Sequence, residues 1–400
     1  MAELELSIMS ATSNPPDALV RALKEFEARN GIHVRVRVFS WNTAWAELMK
    51  VALYRTGPDI SEVGTTWIDS LTMMDTLRPF TLNETASLGG LSVFLPSSWK
   101  SGSMLGGQQT WAVPWLADTR VIYFRRDLLR QVGIDEQSAF ETHEQLTRTL
   151  HRLQENGVTV PWVMPTVQTL PALHTLASWV WGAGGHFISA DGRHTQFSEP
   201  KARAGMCAYF DLHRYLAPSA RNLDDNQANV IFRQGKAAAI ISGQWLLNAI
   251  RHQEAAPEVV ANLGVALVPG VPFVGGSNLV VWRHSRRVNE AMELVRFLTS
   301  PQVQTSYVSQ AGLLPARRDA LTASPFTTEP PFQVISASLK TGRGFQAAYM
   351  WGLIEDGLIA TLGVLWKAIF SNPELDIEQE VAERMQVLAR SLNHTLYERR

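Results

Sequence analysis

Over residues 4–9, Leu4, Leu6 and Ile8 alternate with polar neighbours, the twofold period of a strand. After the loop SATSNPP the period lengthens. Leu19, Val20, Leu23 and Phe26 then form one stripe of a helix over residues 17–29, with Gly31 placed to cap it. Residues 33–39 alternate again, Trp41 and Asn42 open a loop, and residues 43–55 return to helical spacing. Behind the Gly57-Pro58 turn, residues 60–63 read as a very short buried strand; Gly64, Thr65 and Thr66 follow, and Trp67 starts a helix. This βαβα rhythm predicts a parallel sheet with right-handed crossovers. Three strand ends therefore carry small hydroxyls or a tryptophan, namely Ser10 with Thr12, Trp41 with Asn42, and Thr65 with Trp67. They would converge on one sheet edge, where open α/β sheets bind ligands.

Residues 78–109 are irregular and rich in glycine, serine and proline. TWAVPWLADTRVIY, residues 110–123, reads as two extended runs around a Pro114-Trp115 break, and a hinge between domains is expected there. Helical patterns follow at 125–133, at 142–156 with Thr142 and Gln145 spaced as a capping box, at 171–181 before the loop GAGGHFISADG, and at 200–216. In FRQGKAAAIISGQW, the end of a helix over 226–234 is capped by Gly235, a strand-like run covers 237–241, and Ser242-Gly243 breaks it. Trp245 then stands at the start of an apolar segment over 246–250, again at a carboxyl sheet edge. LGVALVPGVPFVGGSNLVVW gives two further strands, consistent with a return to the first domain, before helices at 289–298 and 302–310. The tail is helical, with a stripe of Ile377, Val381, Met385, Leu388, Leu392 and Leu396.

A chain of 400 residues implies two domains of ordinary size. Its 36 basic and 37 acidic residues nearly cancel without runs of like charge, so nothing in the charge recommends nucleic acid or an anionic membrane as partner. One cysteine, Cys207, excludes a disulfide framework and a cysteine-rich metal cluster. No basic n-region with a long apolar stretch precedes the first strand, which suits a cytoplasmic protein or a trimmed targeting segment. Residues 353–370 are apolar but interrupted by Glu355, Asp356 and Lys367, and read as a buried helix. The 13 tryptophans stand out, because this side chain serves both cores and flat ligand platforms.

Catalytic and metal motifs fail on inspection. HEQLT from His143 lacks the second histidine of a zinc-protease helix, DDNQAN from Asp224 lacks the glycine and late acid of a calcium loop, and GRGFQA from Gly342 follows no strand. Neither a P-loop GK[ST] nor a GxSxG elbow occurs. Paired carboxylates stay open, since Asp59, Asp69, Asp118 and Glu355 can approach in space whatever their spacing.

The order of RTGPDISEVGTTW, WAVPWLADTRVIYFRRDLLRQVGI, WGAGGHF, FRQGKAAAIISGQW, LGVALVPG, GGSNLVVW and AMELVRFLTSPQVQTSYVSQAGLLPAR resembles the substrate-binding proteins of bacterial ATP-driven sugar importers. In particular it is similar to the extracellular solute-binding family of maltose, maltooligosaccharide and glycerol-phosphate binders. That resemblance implies an α/β, two-lobed periplasmic-binding-protein-like fold of class II type, with a ligand cleft between lobes joined by a hinge. Residues 1–115 and 264–315 would form the N-terminal lobe, and 116–263 with 316–400 the C-terminal one. It implies a binding protein without catalytic activity, cofactor or metal, monomeric, extracytoplasmic and partnered by a membrane permease. The site residues implied on the first lobe are Thr12, Trp41, Asn42, Thr65 and Trp67. Asp118 and Arg120 match a segment beside the cleft, Trp181, Trp245, Trp351 and Glu355 stand on the second lobe, and Gly275, Gly276 and Ser277 match a loop whose backbone approaches ligand.

Sugar chemistry agrees, since a sugar has apolar C–H faces and a rim of hydroxyls and needs flat rings beside planar polar groups. Trp41, Trp67, Trp115, Trp181, Trp245 and Trp351 all fall at expected loops or element ends, whereas Trp99, Trp162 and Trp282 read as structural. The importer reading, with a mono- to oligosaccharide as ligand, competes with a glycosidase or lyase and with a ligand-sensing receptor domain.

Overall fold

The computed structural model describes residues 2–10, 12–252 and 254–398, with the side chains of residues 2, 309 and 396–398 outside the description. The expected stripe residue Leu396 is among the latter. The chain divides into two compact units. Unit 1 comprises Met1–Asp118, Val274–Thr328 and Gly344–Gly352, and unit 2 comprises Thr119–Phe273, Glu329–Arg343 and Leu353–Arg400.

Unit 1 is built on β1 (Ala2–Met9), β2 (Ile32–Phe39), β3 (Ile60–Gly64), β4 (Leu77–Arg78), β5 (Val113–Thr119), and the later strands β10 (Val274–Trp282) and β11 (Leu314–Pro315). Among the described residues these make a seven-stranded sheet in the order β11-β5-β10-β3-β1-β2, with β4 also paired to β10. β1 is parallel to β2 and to β3, and β10 runs antiparallel to β3. Both faces of the sheet are covered, as a mostly doubly wound sheet requires. On β10 the alternation is explicit: Leu279 and Val281 enter one core with Leu4, Leu6 and Phe26, while Val280 and Trp282 enter the other with Leu48, Ile68 and Leu71.

The helix Asp17–Asn30 shows why local pattern suffices for such elements. It buries Leu19, Leu23 and Phe26, carries Asp17 in its first turn, and ends at Gly31, whose φ of 66° lets its N–H reach the Glu27 carbonyl. Residues 78–109, expected to be irregular, contain the short helices Leu82–Ser87, Gly90–Val93 and Pro96–Ser101, the first held by a reciprocal capping box between Thr81 and Glu84.

Unit 2 holds β6 (Val121–Arg125), β7 (Trp162–Val163), β8 (Ala239–Ser242) and β9 (Leu263–Ala266) in the order β7-β8-β6-β9. β6 is antiparallel to both β8 and β9, and β7 is parallel to β8. The helix Leu170–Gly182 is buried along most of its length and crosses Pro200–Phe210 at Gly205, where a Cβ would stand 2.5 Å from the Trp179 carbonyl oxygen. Trp366, Tyr209 and Phe210 pack edge to face in the same core, with centroids 5.0–5.7 Å apart across these and Trp179.

Three expectations about the crossovers change. Pro114 and Trp115 do not break the chain, because β5 runs unbroken from Val113 to Thr119 and passes out of unit 1 after Asp118. Residues 263–266 pair with β6 and so belong to unit 2, which moves the next crossover from the expected 263/264 to 273/274. Residues 316–328 and 344–352, expected in the second lobe, pack in unit 1. Among the described residues no helix is long and apolar enough to cross a membrane; Trp351–Ser371 buries Leu358, Leu362, Leu365 and Trp366 instead.

Candidate functional site

In unit 1 the candidate face is made of tryptophan. Trp41 and Trp45 lie one turn apart on the helix Trp41–Tyr54, at its N-terminal end and on the flank of the face that buries Ala44, Leu48, Val51 and Ala52. They are 49% and 36% exposed. Both meet Trp67, with centroids 6.0 and 5.4 Å away and rings tilted by 57° and 49°. Trp67 itself lies on the backbone of Gly64, where a Cβ would come within 3.1 Å of the indole. Trp41 and Asn42 thus stand in the first turn of a helix that starts after Ser40, not in the expected loop, and Asn42 is exposed beside them.

The strand ends around this cluster are tied together by buried polar groups. Glu62 accepts the Met9 N–H at 2.7 Å and the Ser277 hydroxyl at 2.6 Å, joining β1, β3 and β10. Burial is the larger influence on its carboxyl and outweighs both hydrogen bonds, pushing its pKa up to about 7. Thr65 donates its N–H to the Gly276 carbonyl at 3.2 Å. Gly276 has a φ of 127°, and a Cβ there would stand 2.1 Å from the Leu116 oxygen of β5, so only glycine fits. Gly275 beside it is buried. Thr12 is exposed, its hydroxyl donating to the Asn14 carbonyl.

Two expected site tryptophans of unit 1 lie elsewhere. Trp115 is 1% exposed and stacks on Tyr307 in the core, its carbonyl held by the Gln304 amide at 2.8 Å. Trp351, equally buried, packs on Phe345 at 4.6 Å. Both fill the interior because the turn signals that suggested a rim lie within a continuous strand and within a buried first helical turn. Asp69, one of the acids left open by spacing, accepts the Gly352 N–H at 3.2 Å, and burial raises its pKa to about 6.

In unit 2 a stack of rings and guanidinium groups forms the second face. Trp245 stands in the first turn of Gln244–Arg251, behind the strand end at Ser242. Its indole covers Gly243, where a Cβ would sit 2.2 Å from the ring, so the glycine of SGQW is what gives the ring its place. The Arg120 guanidinium lies 4.7 Å from the Trp245 centroid and 5.8 Å from that of Phe273. Phe273 stacks on His174 at 3.9 Å and on Trp181 at 6.3 Å, the latter within 8° of parallel. Arg120 Nη2 is 3.2 Å from His174 Nδ1, and because a guanidinium only donates, that nitrogen accepts. Burial first, and then the Arg120 charge, hold His174 well below its ordinary pKa, so the ring is neutral. Arg343 closes the far end of the stack, 5.1 Å from the Trp181 centroid.

Trp181, Arg120 and Trp245 are therefore brought together, whereas Asp118 is half-buried near the end of β5 and Glu355 is buried on the helix Trp351–Ser371. Trp45, His174, Phe273 and Arg343 are not among the residues expected from the sequence. Trp45 carries a usable signal, its four-residue spacing from Trp41 on one helix. The other three come from separate segments and meet only in the folded unit. Two surface grooves, of about 220 and 650 Å³, are lined by other residues, the first by Val51, Arg55 and Arg283 and the second by His143, Arg148 and Tyr215.

A family model described as bacterial extracellular solute-binding protein matches residues 12–305. The chain belongs to that family. This solute-binding protein is 24% identical over 318 residues to the diacetylchitobiose binding protein DasA of Streptomyces coelicolor, an alignment covering 76% of this chain and 71% of that one. Its fold is that of the sugar-binding protein MalE from Xanthomonas citri, with a TM-score of 0.83, 20% identity and coverage of 100% and 98% of the two chains. A solute-binding protein of an ABC transporter from Thermotoga lettingae, crystallised with α-D-tagatose, gives a TM-score of 0.81 at 20% identity, covering 99% of this chain and all of that one. At such identities the likeness speaks for the fold.

Proposed function

We propose that this solute-binding protein takes a carbohydrate, without altering it chemically, and delivers it to the permease of an ATP-driven importer on the outer side of a cytoplasmic membrane. The observation that carries this reading is the tryptophan cluster on a member of the family, in which Trp41 and Trp45 are exposed and pack on a half-buried Trp67. Two large rings left at the surface cost solvation, and flat apolar platforms of this kind suit the C–H faces of a sugar. The ligands of two relatives support the class: DasA binds diacetylchitobiose, and the Thermotoga protein was crystallised with tagatose.

The second face offers complementary chemistry. Trp245 and Trp181 supply ring surface, and Arg120 and Arg343 supply donors that only donate, as hydroxyl oxygens require. Thr12, Asn42, Thr65, Asp118, Glu355 and the Gly275–Ser277 backbone remain part of the proposed ligand set; Trp115 and Trp351 are assigned to the core. Calorimetric titration against neutral and charged mono- and oligosaccharides tests the reading. Saturable binding of at least one sugar, with no product released from it, is expected; a panel with no binding at all overturns it.

A further inference from the structure

Four amide side chains are buried among the described residues: Asn229, Gln244, Asn278 and Gln304. Three have their oxygens bonded. Asn229 Oδ1 accepts the Ser242 hydroxyl at 2.7 Å, Asn278 Oδ1 accepts the Ser101 hydroxyl at 3.3 Å, and Gln304 Oε1 accepts the Ala316 N–H at 3.0 Å. Gln244 is the exception. It is 8% exposed, and its Oε1 is buried without a hydrogen-bond partner among the described residues. A dry, unpaired amide oxygen is unfavourable, and native structures hold few of them. Gln145 Oε1 shares the lack, but on a half-buried side chain of the helix His143–Glu155, which no strand leads into.

Gln244 opens the helix Gln244–Arg251, two positions behind Ser242, the end of β8. Leu247, one turn further on, carries that side of the helix into the core, so Gln244 stands at its top, at the carboxyl edge of the sheet. Its neighbour is Trp245, whose Nε1–H is also buried and has no acceptor among the described residues. The polar groups just before the pair are satisfied: Ser242 donates to Asn229, and the Gly243 carbonyl accepts the Tyr123 hydroxyl at 3.0 Å. An unused acceptor and an unused donor therefore occupy adjacent residues, beside the ring on which Arg120 rests. A solute rich in hydrogen-bonding groups supplies partners for both; an apolar core supplies neither.

We propose that Gln244 is a specificity-determining residue of the solute site, its amide oxygen accepting a hydrogen bond from a hydroxyl or an acetamido N–H of the bound sugar beside the Trp245 ring. This deepens the carbohydrate reading above and rests on it. In the free protein the unpaired amide lowers stability, and in the complex it is paired, so stability and affinity oppose each other at this one side chain. A sugar lacking the donor leaves the oxygen unpaired in the complex and is discriminated against.

The test uses the full chain and Gln244→Met, which keeps the unbranched shape and removes the amide. Calorimetry with D-glucose, N-acetyl-D-glucosamine, cellotriose, chitotriose and maltotriose identifies a bound probe, and the pairs that differ only in the C2 group tell a hydroxyl donor from an acetamido one. Gln244→Met is expected to bind that probe about ten- to a hundredfold more weakly, the range for one buried polar group left unpaired, and in the free state to melt no lower than the parent. The analogue of the probe that lacks the donating group should lose affinity for the parent but not for the variant. A merely structural amide gives the opposite signs, a lower melting temperature with parental affinity. Parental affinity in Gln244→Met, or a variant that melts lower or fails to fold, overturns the inference, while binding by the parent leaves the carbohydrate reading intact. Absence of binding of every probe to the parent overturns both.

Discussion

Glu62 accepts the Ser277 hydroxyl at 2.6 Å inside unit 1, and the same carboxylate takes the Met9 N–H. One buried acid therefore fixes the ends of three strands that lead to Thr12, to Thr65 with Trp67, and from Gly275 with Gly276. Tyr307 is the titratable neighbour whose own pKa the Glu62 charge helps to raise.

A pH dependence follows from this burial. The Glu62 pKa is raised from 4.5 to about 7, so the folded chain holds the proton more tightly than the unfolded one. The stabilisation is complete below the unfolded value and is lost as pH rises through the folded one, by about 3 kcal/mol over that window for a shift of this size. Urea unfolding at pH 5 and pH 8 should show Glu62→Gln losing less stability between the two than the parent chain. Equal losses in both would remove Glu62 from the account.

Trp67 and Trp115 separate binding from folding. Trp67 is the ring on which Trp41 and Trp45 converge, and Trp67→Ala should weaken sugar binding roughly tenfold to thirtyfold, as truncation of an aromatic anchor worth about 1.5–2 kcal/mol implies. Trp115→Ala should cost about 3–5 kcal/mol of stability, because it empties a core site against Tyr307. Thermal melts and titrations on the same two variants check both statements. A Trp115→Ala chain that melts like the parent, or a Trp67→Ala chain with parental affinity, contradicts the assignment concerned.

How much of this is legible in the sequence depends on the range of the interactions. The helix expected over 17–29 and found as Asp17–Asn30 is written locally, in an apolar stripe and a capping glycine. Trp162 and Trp282, read as structural, are fully buried. The partner of β9 is not local information: nothing within residues 263–266 says whether they join β6 or the first sheet, so the crossover expected at 263/264 falls instead at 273/274. Trp115 misleads for a physical reason. Pro-Trp between extended runs looks like a break, yet Gln304, far along the chain, holds the Trp115 carbonyl inside a continuous strand. His174, Phe273 and Arg343 come from three segments and form a stack that no spacing rule encodes.

Gly276 carries a strict backbone requirement. Its φ of 127° is disfavoured for any side chain, and a Cβ would stand 2.1 Å from the Leu116 oxygen. Gly276→Ala should therefore destabilise unit 1 by roughly 2–4 kcal/mol, at the upper end of single substitutions. Gly106, also at positive φ but with open space where a Cβ would stand, is the control: Gly106→Ala should cost only the backbone strain, about 1 kcal/mol. Equal melting shifts for the two would mean that strand contact plays no part.

Trp245 brings the same logic to unit 2, where the ring rests on a glycine instead of a strand neighbour. Trp245→Ala removes the surface under the Arg120 guanidinium, 4.7 Å away, and should weaken sugar binding at least tenfold while the half-buried position limits the loss of stability. Gly243→Ala is the sharper variant, because it keeps every atom of the indole. Its methyl group would stand 2.2 Å from the ring, so the ring must swing aside. Gly243 has a φ of −91°, which alanine adopts freely, so no backbone strain confuses the result. If the ring position serves the ligand, Gly243→Ala should weaken binding in the same direction as Trp245→Ala, with tryptophan fluorescence reporting the displacement. A fluorescence change without any change in affinity would return Trp245 to a packing role.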